Sequence, residues 1–374
     1  MVQQQVAAIE LAGDWPMIET QLPPTWRELA RENGIDPGVV PTQLGAKVKD
    51  LSVPLRLVLF HVGTNTSLKT TTAMAAASGL IDMSAVALHK WMRKIGGLLA
   101  TLLVVLTESA KHFAAELWAG YDILIVDASS IVRHGSDGTT ARIHYVLRLT
   151  DLQPVGIDVT DVRGGETFRR FGAMVKPGQL WIGDRGYANP PGIYALTSRG
   201  ADVPVRYNRG SLPLYDVHGE PLDVRRKMKS LSEPCRPRQW AAWVQPQGKE
   251  RIRGRLCALR LPPAKVEEAK ARLRKEQGRD LTDESLKMAA FVILFTTVPK
   301  DRLSLDRVIE LYTLRWQVEL NIKRDKSIAG LDRLPNFRED TIRSWILAKM
   351  LLVQIAHRVV RPCVNIPPYA ECAA

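Results

Sequence analysis

Residues 121–130 read YDILIVDASS, an apolar run that ends in the acidic residue Asp127. The run is short and rich in aliphatic side chains, which is typical of a buried strand. An aspartate at the end of such a strand is costly to bury unless it is paired or binds a metal ion. Asp127 is therefore a candidate functional residue, although capping the next turn is the more ordinary role for a strand-end aspartate.

The sequence after this strand predicts a meander, a helix and a second buried strand. Residues 141–161 contain two alternating stretches divided by a short turn, the pattern of a β-hairpin. RGGETFRRFGAMV at 163–175 predicts a helix, and GQLWIGDRGY at 178–187 predicts a buried strand. Asp184 lies at the carboxyl end of that strand, just as Asp127 lies at the end of the first one.

A third carboxylate belongs to DRVIELYTLRWQVELNIKRDKSIAG at 306–330, for which we predict one continuous helix from Ser304. At about 100° per residue, four of its side chains share an arc of about 60° over roughly 21 Å of helix. One carboxylate among two cations and a phenol suits a metal ion and a phosphate backbone together. A solvated face with ion pairs gives the same pattern. The four residues are Tyr312, Arg315, Glu319 and Lys326.

The order of these elements predicts an α/β fold. Carboxylates on the first and fourth strands, with a third on a later helix, are the arrangement of an RNase H-like core. The first and fourth strands are adjacent in that fold, so Asp127 and Asp184 can share divalent cations, and Glu319 could complete the site. Mg2+ prefers carboxylate oxygens as ligands to the nitrogen of His or the sulfur of Cys.

These landmarks together resemble those of bacterial insertion-sequence transposases of the IS-four type, which have an Asp-Asp-Glu site. The hallmark of that family is a Y-x2-R-x3-E-x6-K signature, which Tyr312 to Lys326 match. The VDAS strand, the GDRGY segment and this signature occur in the family's order. The intervals also suit it, with 57 residues from Asp127 to Asp184 and 135 from Asp184 to Glu319.

The resemblance implies cut-and-paste transposition of double-stranded DNA by nicking, hairpin formation and strand transfer. Asp127, Asp184 and Glu319 would be the catalytic residues and would hold two Mg2+ ions, for which Mn2+ can substitute. Tyr312, Arg315 and Lys326 would contact phosphates at the cleaved end of the transposon's terminal inverted repeats. A homodimer is implied, because two ends must be held together before they join target DNA.

The pattern and the resemblance together predict five regions. These are a helical N-terminal DNA-binding region (1–115), the first part of the RNase H-like core (116–207), a mostly-β insertion (208–286), the second part of the core with the Glu319 helix (287–362) and a disordered tail (363–374). Within the first region, two helices separated by SGLIDMS are close to helix-turn-helix spacing, and the second carries basic residues. Plain helical packing is the alternative. The basic residues are His89, Lys90, Arg93 and Lys94.

Composition favours a polyanionic partner. The 374 residues include 52 Lys and Arg against 39 Asp and Glu, a net charge of +13. Neutralising phosphates would release counterions, but a basic ribosomal or membrane-surface protein would have a similar charge. The four cysteines show neither CxxC pairing nor zinc-ligand spacing, and no signal peptide or membrane span is predicted. We therefore expect reduced thiols and a cytoplasmic, nucleoid-associated protein with no membrane partner.

Two other functions remain open for the sequence. One is an RNase H-like metal-dependent nuclease without strand transfer, and the other is a non-catalytic DNA-binding derivative. The intact carboxylate triad counts against the derivative, and the signature favours a transposase over a simple nuclease.

Several other residues are interpreted as structural. Glu166, after a Gly-Gly turn, is predicted to be a turn, cap or surface residue, and His144 a half-buried histidine with a hydrogen-bond partner. Trp240 and Trp243 are assigned to core packing in preference to stacking on a flipped base.

Overall fold

The computed structural model describes most of the chain. The described residues are 15–35, 48, 50–108, 118–132, 138–150, 152–277, 282–328, 330–331, 334–335 and 338–360. The tail predicted to be disordered, 363–374, lies outside them. The chain is a mixed α/β protein, as predicted.

The described N-terminal residues form helices. Ser67 and Ser84 cap two of them, because each hydroxyl accepts a hydrogen bond from the backbone N–H three residues later. Gly79 ends the first of this pair with φ 72°, a conformation that favours glycine. The helix end at Gly79 and the helix start after Ser84 confirm that SGLIDMS separates two helices. The helices are α1 (Trp15–Gln21), α2 (Trp26–Glu32), α3 (Ser52–Thr64), α4 (Leu68–Ala77), α5 (Ala85–Lys94) and α6 (Gly96–Glu108).

The basic helix α5 is partly engaged inside the molecule. Arg93 forms an ion pair with Asp340 at 2.5 Å, and His89 Nε2 lies 3.2 Å from the Thr341 hydroxyl. Lys90 is exposed. The loop between α4 and α5 is longer than the 3–4 residues of a usual helix-turn-helix, so the spacing is only approximate.

The predicted meander is confirmed as the centre of the first sheet. Its strand order is β3-β2-β1-β4, with β1 antiparallel to β2 and parallel to β4. The predicted helix at 163–175 is instead a 3-10 segment, Phe168–Met174, with a non-helical residue at Phe171. The strands are β1 (Asp122–Val132), β2 (Thr139–Arg148), β3 (Pro154–Thr160) and β4 (Gln179–Ile182).

A second, antiparallel sheet extends the first. Its order is β5-β8-β7-β6, and β5 runs parallel beside β4 through bridges at Leu180–Asp202 and Gly183–Val205. The strands are β5 (Pro204–Arg206), β6 (Arg238–Val244), β7 (Ile252–Arg260) and β8 (Phe291–Thr296). The helices between β4 and β8 are α7 (Pro190–Thr197), α8 (Val224–Lys229), α9 (Pro263–Gln277) and α10 (Asp283–Met288).

Three helices end the described chain: α11 (Leu305–Thr313), α12 (Trp316–Ile328) and α13 (Glu339–Val360). The prediction of one continuous helix from Ser304 is wrong. Leu314 and Arg315 form a corner with hydrogen bonds from residue i to i−3, where an α-helix would bond to i−4. None of the described helices is both long and apolar enough to cross a membrane.

A buried polar contact fixes α12 on the first sheet. The Tyr145 hydroxyl on β2 donates a hydrogen bond to the Asp325 carboxylate on α12 and also contacts Met350 on α13. The pKa of Asp325 is raised to about 6, because the effect of burial outweighs the lowering by the hydrogen bond from Tyr145. The hydroxyl therefore stabilises the ionised carboxylate in an apolar environment.

We expect Tyr145→Phe to lower the free energy of unfolding by about 1–3 kcal/mol at pH 7–8, because it leaves the Asp325 carboxylate without its donor. The loss should shrink below about pH 6, where a protonated Asp325 no longer needs that donor. Chemical denaturation across pH measures both effects.

Tyr194→Phe on α7 is the matched control, since the Tyr194 hydroxyl makes no hydrogen bond with a described residue. It should change stability by no more than about 0.5 kcal/mol. Equal losses in the two variants would contradict the role given to Tyr145.

Candidate active site

The parallel pairing of β1 and β4 brings two carboxylates side by side. The ladder runs from Asp122 opposite Gln179 to Ile125 opposite Ile182. Continued by two residues, the same register places Asp127 beside Asp184. The interval of 57 residues between the aspartates equals the register offset of the two strands.

Both carboxylates lie on the sheet face that α12 covers. Ile123 and Ile125 of β1 share a hydrophobic core with Val318 and Ile322 of α12, whereas Leu124 belongs to the core on the opposite face. Because side chains alternate along a strand, Asp127 follows Ile125 onto the α12 side. Leu180 and Ile182 are in the same core, which places Asp184 on that side too.

The corner between α11 and α12 brings the signature residues to these aspartates. The Tyr312 hydroxyl donates to Asp184 Oδ1 at 3.2 Å, and Arg315 forms an ion pair with Glu319. Lys326 Nζ donates to the Ser130 carbonyl oxygen at 2.7 Å, just past Asp127 on β1. The four side chains that were predicted to share one face of a single helix therefore come from two helices and the corner between them.

The two aspartates have opposite pKa shifts. The pKa of Asp127 is raised to about 7, mainly by burial and also by the charges of Glu319 and Glu166. The Ala128 N–H and the charge of Arg315 oppose this rise. Burial also acts to raise the pKa of Asp184. The charge of Arg315, the N–H of Arg185 and the Tyr312 hydroxyl outweigh it, so that pKa is lowered.

Arg315 is the main positive charge acting on this cluster. Burial alone would lower the pKa of its guanidinium, but Asp184, Tyr312 and Glu319 raise it. Its side chain is 15% exposed, and that of Glu319 is 47% exposed. Glu319 is therefore at the solvent edge, while Arg315 lies inside.

The three predicted metal ligands do not form a cluster in this structure. Among the described residues, no three His, Cys, Asp or Glu side chains lie close enough together to hold a metal ion. The continued register of β1 and β4 aligns Asp127 with Asp184, but Glu319 forms an ion pair with Arg315.

Glu166, predicted to be a turn, cap or surface residue, lies in the irregular connection before the 3-10 segment. It is half-buried, and its charge raises the pKa of Asp127. The pKa of Glu166 is itself raised by burial and then by Asp184, with Arg142 opposing. No periodicity marks this residue, because it precedes a short 3-10 segment in an irregular connection. His144 has the predicted hydrogen-bond partner, since its Nε2 lies 3.0 Å from the Thr160 hydroxyl, but it is fully buried where half-burial was predicted.

Comparison with known families agrees with this geometry. The family model described as "Transposase DDE domain" matches residues 118–355, more than half of the chain and all the site residues above. The chain belongs to the DDE transposase family.

The chain is also similar to curated transposases and to one solved structure. The transposase for insertion sequence element IS421 of Escherichia coli is 28% identical over 332 residues, covering 86% of this chain and 88% of the relative. The transposase for IS231F of Bacillus thuringiensis subsp. israelensis is 23% identical over 195 residues, covering 48% and 41%. A piggyBac transposase in a synaptic complex with hairpin DNA aligns with TM-score 0.44 and 8% identity over 97% of this chain and 77% of its own.

The chain is thus an insertion-sequence transposase, an enzyme that acts on DNA in transposition. This function was predicted and is confirmed.

In this transposase we expect Arg315→Gln to lower the free energy of unfolding at pH 7–8 by roughly 2–4 kcal/mol, because it leaves Asp184 without its buried counter-charge. Arg315 holds the pKa of Asp184 below its usual value, so its contribution is present above about pH 4. The contribution should disappear as the pH falls and the carboxyl protonates. Urea denaturation from pH 3 to 8 measures this profile.

Arg307→Gln is the control, because Arg307 forms an exposed ion pair with Glu310 on α11. Its effect should stay within about 1 kcal/mol at every pH. A pH-independent effect of Arg315→Gln would contradict the assigned pairing.

Proposed function

We propose that the chain is a cut-and-paste transposase with an RNase H-like catalytic core, in which Asp127, Asp184 and Glu319 form the catalytic triad. The observation that carries this proposal is the register that aligns Asp127 with Asp184 beneath the Glu319 helix. The sheet order β3-β2-β1-β4, with β5 parallel beside β4, supports the core assignment.

The chemistry of the donor set fits divalent metal ions. All three groups are carboxylates, and the raised pKa of Asp127 reflects burial without an adequate positive charge. Asp127, Asp184 and Glu319 would together hold two Mg2+ ions. Such ions, or Mn2+ in their place, would activate the attacking oxygen and stabilise the leaving 3′ oxygen.

The signature residues would hold the DNA end. The guanidinium of Arg315 can bind a phosphate through two hydrogen bonds, and Lys326 can add a point charge. A phosphate that competes for Arg315 would release Glu319 from its ion pair. Tyr312, which donates to Asp184, would orient that carboxylate. DNA binding would thereby complete the triad.

The order of events would be nicking at a terminal inverted repeat, hairpin formation by the freed 3′ hydroxyl, reopening, and joining to target DNA. Two protomers would hold the two ends, and the N-terminal helices, with Lys90 exposed on α5, would add DNA contacts. The net charge of +13 supports this partner.

Asp127→Ala, Asp184→Ala and Glu319→Gln should each reduce cleavage of labelled inverted-repeat DNA in Mg2+ by at least about a thousandfold, since each removes a metal ligand. Binding of the same DNA in a gel-shift assay should survive. Glu310→Gln, an exposed carboxylate on α11, is the control and should remain active.

The products of the same assay test the reaction. Hairpins and joined target DNA are expected from the unaltered protein. Nicks without strand transfer would contradict the transposition steps, and full activity in any triad variant would contradict the site.

Lys326→Ala should weaken binding of inverted-repeat DNA and reduce the slope of log affinity against log salt concentration by about 1, because it removes one phosphate contact. Lys323→Ala removes an exposed lysine from the same helix and is the matched control. Fluorescence anisotropy between 50 and 300 mM salt gives both slopes. Identical slopes for the two variants would reject the special role of Lys326.

A further inference from the structure

The second sheet continues the edge at which Asp184 lies. β4, β5 and β7 run in the same direction, because β5 is parallel to β4 and β8 is antiparallel to both β5 and β7. The carboxyl ends of these three strands and the amino ends of β6 and β8 therefore lie at one edge. Arg206, the last residue of β5, donates its N–H to the Gly183 carbonyl oxygen at 3.3 Å. This edge thus passes directly from Asp184 into the second sheet.

The connections at this edge are rich in exposed arginine. The turn after β5 contacts the segment after Asp184, since Asn208 Nδ2 donates to the Arg185 carbonyl oxygen at 3.4 Å. β7 ends at Arg260, and the Cys235 N–H donates to its carbonyl oxygen at 2.9 Å, so the segment before β6 lies beside that end. Five exposed arginines belong to these connections, and we call them the carboxyl-edge arginines: Arg209, Arg225, Arg236, Arg238 and Arg260.

Surface ion pairs hold three of these arginines. Arg209 and Arg225 both pair with the same oxygen of Glu284, and Arg236 pairs with Glu233 at 2.9 Å. Arg209 and Arg236 nevertheless stay 67% and 66% exposed. Exposed pairs of this kind stabilise a protein by about 1 kcal/mol or less, so a phosphate can replace the carboxylate at little cost. The guanidinium groups are therefore accessible to an anionic partner.

The strand register places Arg238 almost level with the end of β5. Leu294 of β8 pairs with Arg206 of β5 and with Cys257 of β7. Cys257 pairs in turn with Gln239 of β6, the residue after Arg238. The row of residues that starts beside the catalytic candidates on β4 therefore reaches the carboxyl-edge arginines on β6.

The length of this row suits a DNA duplex. Arg238 on β6 is four strands away from Asp184 on β4, which is about 19 Å at roughly 4.8 Å per strand. At about 3.4 Å per base pair, this length corresponds to five or six base pairs, or about half a helical turn. Arginine also suits the duplex backbone, because its guanidinium can bind a phosphate through two hydrogen bonds.

We propose that the carboxyl-edge arginines bind the phosphate backbone of duplex DNA within about six base pairs of the cleaved phosphate. The inference rests on the proposed function, which puts that phosphate at Asp127, Asp184 and Glu319. It adds a second DNA-binding surface to the one formed by Arg315 and Lys326. The duplex is either the inverted repeat or the DNA that flanks it, since both present the same backbone.

The double variant Arg236→Gln/Arg238→Gln tests this surface in the full chain, with inverted-repeat DNA that includes its flank. It should reduce the slope of log affinity against log salt concentration by about 2, because it removes two phosphate contacts. Lys249→Gln/Lys300→Gln removes two exposed lysines from turns at the opposite edge of the sheet and should leave the slope unchanged. Equal slopes for the two double variants would overturn the proposal.

Arg236→Lys/Arg238→Lys separates lost charge from lost folding. It retains both positive charges and should retain the salt slope. Thermal unfolding should be nearly the same in both Arg236 and Arg238 double variants, because the Arg236–Glu233 pair is exposed. Loss of the slope in the lysine variant as well, together with a lower unfolding temperature, would assign both residues to folding and overturn the proposal.

Ethylation interference locates the contacts on the DNA. Ethylated phosphates within about six base pairs of the cleaved phosphate should weaken binding of the unaltered protein, and this effect should fade in Arg236→Gln/Arg238→Gln. Affected phosphates inside the inverted repeat would assign the surface to the repeat, and affected phosphates outside it would assign the surface to the flank. An effect confined to more distant phosphates would overturn the proposed placement.

The cleavage assay distinguishes failure of this inference from failure of the proposed function. Hairpins and joined DNA from the unaltered protein, with an unchanged salt slope in Arg236→Gln/Arg238→Gln, would overturn the inference alone. A reduced slope without any cleavage by the unaltered protein would contradict the proposed function and still support a DNA contact at this edge.

Discussion

The arrangement of the site depends on one electrostatic constraint: carboxylates brought together at the edge of a buried sheet need positive charge nearby. Asp127 and Asp184 are placed side by side by strand pairing, and burial acts to raise the pKa of both. The charge of Arg315 helps to lower the pKa of Asp184, whereas the pKa of Asp127 stays at about 7. The protein alone therefore leaves Asp127 without enough positive charge nearby to lower its pKa.

The position of Arg315 depends in turn on how the helices meet the sheet. The corner at Leu314 and Arg315 separates α11 from α12, so the guanidinium reaches inward while Glu319 stays at the solvent edge. The buried Tyr145–Asp325 bond holds α12 on the sheet, and Tyr145 is the direct β-partner of Asp127. The hydrogen bond that holds α12 on the sheet therefore starts from the strand next to Asp127.

Sequence patterns predicted much of this architecture because the informative signals are local. Apolar runs ending in Asp127 and Asp184 identified the two strands, SGLIDMS identified the break between two N-terminal helices, and alternation identified the meander. Spacing also placed Tyr312, Arg315, Glu319 and Lys326 together. The continuous helix was wrong because a corner with i to i−3 hydrogen bonds leaves no clear break in an otherwise helical sequence.

The sequence by itself determined which residues are candidates for the chemistry and which family the chain resembles, since residue type and spacing are written along the chain. Only the tertiary structure decided which of them are in contact. It brought the Tyr312 hydroxyl to Asp184 and the Lys326 ammonium to the Ser130 carbonyl oxygen on β1. These relations join segments distant in sequence, and long-range packing and charge, which no local pattern encodes, decide them.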